Sequence, residues 1–78
     1  MDKQQVNRLL AVMVQAIKNG TPNGGLYAAM MNHVDLNEYT LLLGILTSAN
    51  LVTNDHDFLT LTDKGMRMCA EIESLLAN

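Results

Sequence analysis

Residues 35–65 read DLNEYTLLLGILTSANLV (35–52), TNDHD (53–57) and FLTLTDKG (58–65). Asp35 and Glu38 have capping-box spacing, and Val34 and Tyr39 have the spacing of a hydrophobic staple. A helix therefore opens at Asp35 and runs to residue 49, with Tyr39, Leu42, Leu43 and Leu46 facing inward. Leu36, Leu41 and Ile45 widen its apolar surface beyond one stripe. Asn50 stands where the chain must leave the helix, and Asn tolerates the left-handed conformation needed there. Residues 51–53 and 58–61 alternate and carry β-branched and aromatic side chains, so they read as two strands with a turn at 54–57. Thr62 or Asp63 caps a last helix carrying Met66, Cys69, Ile72, Leu75 and Leu76 at helical spacing, with Met68 on a second flank.

Upstream, Asp2 and Gln5 have capping-box spacing, and Met1 and Val6 are placed for a staple. Val6, Leu9, Leu10, Met13, Val14 and Ile17 make one apolar stripe, so a helix spans 3–19. Lys18 suits its last turn, and Gly20 is its left-handed stop. TPNGG (21–25) is the one Pro/Gly cluster and reads as a turn. Thr21 could cap a helix with Pro22 at its first position, but the glycines delay a firm helix to about Gly24. That helix ends near Asn32, and His33 and Val34 connect it to the next. The expected fold is one domain over 1–78, mainly α with a small β-hairpin, in the order helix, helix, helix, strand, strand, helix.

Composition narrows the function. The chain has 78 residues, 49% hydrophobic and 17% charged, with six methionines and a net charge of −3. It is too apolar for disorder, and its mild acidity argues against a surface held to nucleic acid or anionic lipid by bulk charge. No apolar run approaches the roughly 20 residues that span a bilayer. The N-terminus lacks a signal-peptide layout, so a cytoplasmic protein is expected. One cysteine, Cys69, excludes a disulfide and a thiolate zinc cluster within the chain. A core this small leaves self-association as a source of further buried area.

LGILTSANLV followed by FLTLTDKG resembles the end of the recognition helix and the wing of winged helix-turn-helix proteins, such as MarR-like and PadR-like regulators. Leu43, Leu46, Leu51, Val52, Leu61, Thr62, Lys64 and Gly65 match that pattern. The motif spans residues 43–65, and the order of elements fits along the whole chain. The resemblance implies a winged helix, a third helix that would enter the major groove and a hairpin that would touch the backbone or minor groove. It also implies terminal helices able to pair into a dimer. Winged helices serve as DNA readers, dimerisation units and protein adaptors, so the fold alone does not choose.

Charge weighs against the first of these. No Lys or Arg occurs from 19 to 63, whereas Asp35, Glu38, Asp55, Asp57 and Asp63 do. The five cations, Lys3, Arg8, Lys18, Lys64 and Arg67, fall on the outer two helices. A typical duplex binder makes about 6–10 phosphate contacts. The expected function is thus a non-catalytic interaction module, binding its own copy or another protein in a regulatory role. The alternative is a small DNA-binding transcriptional regulator using helix 35–49 and hairpin 51–61. The candidate partner or DNA surface is Asn37, Glu38, Thr40, Leu41, Gly44, Ile45, Ser48, Asp55 and His56. Val12, Met68 and Leu75 are the candidate dimer surface.

No catalytic, cofactor or metal site is expected. Asp55-His56-Asp57 has ligand-type residues, but neighbours in a tight turn diverge and read as a solvated turn. His33 reads as a connection residue. Cys69 falls on the apolar face of the last helix and reads as a buried thiol rather than a nucleophile, which would need an activating base. Asp63, Glu71 and Glu73 spread around that helix without forming an acid/base pair. TPNGG lacks the Lys-Ser/Thr tail of a phosphate loop.

Overall fold

The capping box expected at Asp35 is formed. Asp35 accepts from the Glu38 amide at 2.8 Å, and Glu38 accepts from the Asp35 amide at 3.0 Å. Val34 and Tyr39, the staple pair, are both buried. The computed structural model describes residues 2–77, which fold as α1 (Lys3–Ile17), β1 (Thr21–Pro22), α2 (Asn23–Met30), α3 (Leu36–Ser48), β2 (Val52–Asp55), β3 (Phe58–Leu61) and α4 (Asp63–Ala77). The fold is α+β. The α1 cap is Asp2, which accepts from the Gln5 amide. The staple partner Met1 lies outside the described residues.

The other end of α3 also follows the chemistry of its sequence. Asn50 adopts φ 61°. The Leu51 amide bonds to the Leu46 carbonyl and the Asn50 amide to the Thr47 carbonyl, the bond pair of a Schellman motif. Leu46 and Leu51, the residues this motif brings together, are both buried. Thr62 then caps α4, its hydroxyl accepting from the Gly65 amide at 3.0 Å while donating to the Asn50 carbonyl. One threonine thus joins the exit of α3 to the entry of α4.

The expected order of elements needs one correction. Thr21 does not cap a helix, Pro22 stands at the N-cap of α2 rather than at its first position, and the pair is not a plain turn. They are a third strand, pairing antiparallel with β3 at Leu59 and Phe58. The sheet therefore has three strands in the order β1-β3-β2. Pro22 fits because β1 is an edge strand, where a missing N–H leaves no ladder bond unmade. Two residues cannot display an alternation, and their partners lie far along the chain, so the Pro/Gly cluster conceals them. Helix α2 consequently starts without a side-chain cap. Asn23 instead accepts from the Tyr39 hydroxyl at 2.6 Å, and the Tyr27 and Tyr39 rings meet edge-on with centroids 5.1 Å apart.

The core lies between α1, the inward faces of α2, α3 and α4, and the sheet. Met13, Val14 and Ile17 of α1, Leu42 and Leu46 of α3, and Leu59 of β3 are fully buried or nearly so. Leu43, expected inward, is only half-buried at the edge of this cluster. Gly20, at φ 85°, ends the α1 exit and carries the Phe58 ring where a Cβ would sit.

The hairpin is tighter than expected. Asn54 and Asp55 belong to β2, and only His56 and Asp57 turn the chain, at φ 51° and 63°. Positive φ at both positions is the signature of a type I′ hairpin turn, which favours glycine at the second. Asp57→Gly should therefore raise the unfolding free energy by ~0.5–1 kcal/mol. Urea denaturation checks this as a higher midpoint at unchanged slope.

Candidate functional site

The inward face of α3 is set by Tyr39, Leu42 and Leu46, all buried. Helical geometry then turns Asn37, Thr40, Leu41, Gly44 and Ser48 outward, with Ile45 on their flank. Leu41 is 66% exposed and Ile45 45%. Thr40, Leu41, Gly44, Ile45 and Ser48, five of the expected surface residues, together line a shallow depression that Ala49 closes. The Thr40 hydroxyl donates to the Leu36 carbonyl at 2.8 Å. This occupies its polar group within the helix and leaves the face more apolar than its sequence suggests.

Gly44 is the odd member. A Cβ there would meet nothing within 4 Å. Glycine inside a helix costs about 0.5–1 kcal/mol relative to alanine, and no packing within this chain demands it. The result is an unobstructed backbone in the middle of an exposed, uncharged helix face.

Asn37 is exposed on the same helix, and Glu38 is tied into the capping box. Asp55 and His56 stand apart from the α3 depression, on the hairpin. They hydrogen-bond to each other at 2.7 Å and are almost fully exposed. No group of three or more metal-ligating side chains converges among the described residues.

Val12, Met68 and Leu75, the expected dimer residues, are all exposed. Met68 lines a second depression with Ala49, Leu51, Lys64, Arg67 and Glu71, between the end of α3 and α4. It therefore adjoins the α3 face through Ala49. Val12 lies outside this depression on α1, and so does Leu75, 75% exposed near the end of α4.

Two cations missing from the α3 sequence reach its end through the fold. Lys64 donates to the Ala49 carbonyl at 3.3 Å, placing an ammonium at the negative end of the α3 dipole. Arg67 lines the same depression. A search for cations along 19–63 misses both, because they come from the next helix.

Cys69 is buried, and its thiol donates to Glu73 at 3.3 Å. Burial pushes the thiol pKa up, and the Glu73 carboxylate raises it further. Both effects hold it as an unreactive thiol. Glu73 also takes Lys18 Nζ at 2.9 Å. The hydrogen bond from Lys18 holds the Glu73 carboxyl below its usual range, and the same bond raises the Lys18 pKa. These groups clamp the end of α1 to α4. Lys18 and Glu73 sit half-exposed on the surface.

Among the described residues no helix is long and apolar enough to cross a membrane. No family model, curated protein or solved structure matches this chain.

Proposed function

We propose that this protein is a small winged-helix module of the cytoplasm, non-catalytic, that works by binding protein through the outer face of α3. The observation that carries the reading is the α3 face itself. Leu41 and Ile45 stand exposed beside an unobstructed Gly44, and no Lys or Arg lies on α2, α3 or the sheet. An apolar, uncharged strip suits contact with another protein surface, whose core excludes charge. The winged-helix assignment is supported by the order α1-β1-α2-α3-β2-β3-α4 and by the motif from Leu43 to Gly65.

Leu41→Glu tests the proposal. Leu41 is exposed, so the variant should keep the parent melting temperature. It should also lose self-association in sedimentation velocity, or lose a defined protein partner, by roughly tenfold or more. Unfolding of the variant would mean that Leu41 belongs to the core. Unchanged association with the fold intact would remove α3 from the interface.

The second reading is a DNA-binding regulator. Lys64 and Arg67 beside the exposed end of α3 are the observation in its favour. It requires binding to random duplex DNA at low salt that falls steeply as salt rises. A folded protein with no such binding excludes it.

A further inference from the structure

The depression between α3 and α4 differs from the α3 face in one respect, its rim. Its floor is apolar, made by Ala49, Leu51 and Met68, and Lys64, Arg67 and Glu71 stand around it. Within the described residues Lys18 pairs with Glu73, and Asp55 hydrogen-bonds to His56. Neither rim cation takes part. Lys64 is oriented by the Ala49 carbonyl, an interaction that uses one of its three donor hydrogens. Arg67 and Glu71 are one helical turn apart on α4, at a spacing where such pairs often close, yet they form no salt bridge.

From this we infer that the depression receives an acidic segment of a partner protein, an apolar side chain on the floor and carboxylates against Lys64 and Arg67. The inference rests on the interaction-module reading and names the chemistry of its partner. The overall charge of −3 does not oppose it. At physiological ionic strength screening acts over about 8 Å, so the local rim, not the net charge, decides what docks. Ala49 also closes the α3 depression, so one amphipathic helix could run from the floor onto Ile45 and Leu41. The rim sets two cations against the single carboxylate of Glu71, so its local charge favours an acidic partner over a neutral or a basic one.

The test uses the full chain, labelled with nitrogen-15, and three synthetic helical peptides. All share one leucine stripe, and their remaining positions are glutamate, glutamine or lysine. The glutamate peptide should shift the amide signals of Ala49, Leu51, Lys64, Arg67 and Met68. An exposed ion pair is worth up to about fivefold in affinity, so the glutamate peptide should bind about tenfold tighter than the glutamine one. Arg67→Glu should remove most of that preference at unchanged melting temperature; Lys64→Gln is the second variant, checked for folding because Lys64 holds the Ala49 carbonyl. Equal binding of the glutamate and glutamine peptides, or tightest binding of the lysine peptide, would overturn the acidic partner. If such binding still centred on Leu41 and Ile45, the interaction-module reading would stand. No binding by any peptide overturns the inference, and unchanged association of Leu41→Glu would then remove the broader reading as well.

Discussion

Gly65→Ala should destabilise the protein by about 3 kcal/mol, the upper end of the range for overpacking a core. Alanine is the better helix former by about 1 kcal/mol, so propensity alone predicts the opposite sign. Space decides the outcome. Gly65 is buried in the first turn of α4, and a Cβ built on it would lie 2.1 Å from the Leu51 carbonyl oxygen. That oxygen is backbone and cannot rotate away. It also accepts the Thr62 amide at 3.0 Å. Moving α4 outward by the required distance would stretch this bond and the Thr62–Asn50 link together. Gly44→Ala is the matched control, because its added methyl meets nothing within 4 Å. It should stabilise by ~0.5–1 kcal/mol, while its methyl obstructs any partner that approaches the α3 backbone closely. Chemical denaturation of the two variants beside the parent checks both signs. A Gly65→Ala variant as stable as the parent would mean that α4 can shift away from Leu51 at little cost.

Gly65 also shows what the sequence made legible and what it hid. Its place after Thr62 marked the start of α4, but the need for glycine comes from Leu51, fourteen residues earlier and close only in the fold. The features written locally were readable. The Asp35–Glu38 box, the left-handed Asn50 and the Thr62 cap are each settled within a few residues, and each is formed. Helical periodicity likewise sorted Thr40, Leu41, Gly44, Ile45 and Ser48 onto one face. Features that depend on distant pairing were not readable. Strand β1 is two residues long and exists through Leu59 and Phe58. The Lys18–Glu73 clamp joins positions 55 residues apart. Lys64 and Arg67 flank α3 only because Thr62 folds α4 back onto its end. Met68 likewise shares a depression with Ala49 and Leu51, a neighbourhood that its place on α4 alone does not indicate.

Leu59→Ala should cost ~2–5 kcal/mol, the range for truncating a buried leucine. Leu59 is fully buried on β3, the strand that holds the sheet together. Its backbone stands opposite Thr21 on one side and Asn54 on the other. The sheet face it occupies packs on α1, where Met13, Val14 and Ile17 are also fully buried. A collapse that fills the vacated space would have to move a strand paired on both edges, so the cavity should largely persist. Domains of this size hold about 4–12 kcal/mol in all. The loss therefore takes a large share of the total, and thermal unfolding should shift down by roughly 10 °C or more. Thr60→Ala, on the opposite face of the same strand, removes a hydroxyl paired with Thr53 at 2.8 Å and should cost under about 1 kcal/mol. If the two variants melted alike, Leu59 would not be the inward-facing residue of β3. This contrast also governs how binding experiments on the protein are read. Partner loss in Leu59→Ala follows from unfolding. Partner loss in Leu41→Glu, at an unchanged melting temperature, can come only from the face of α3.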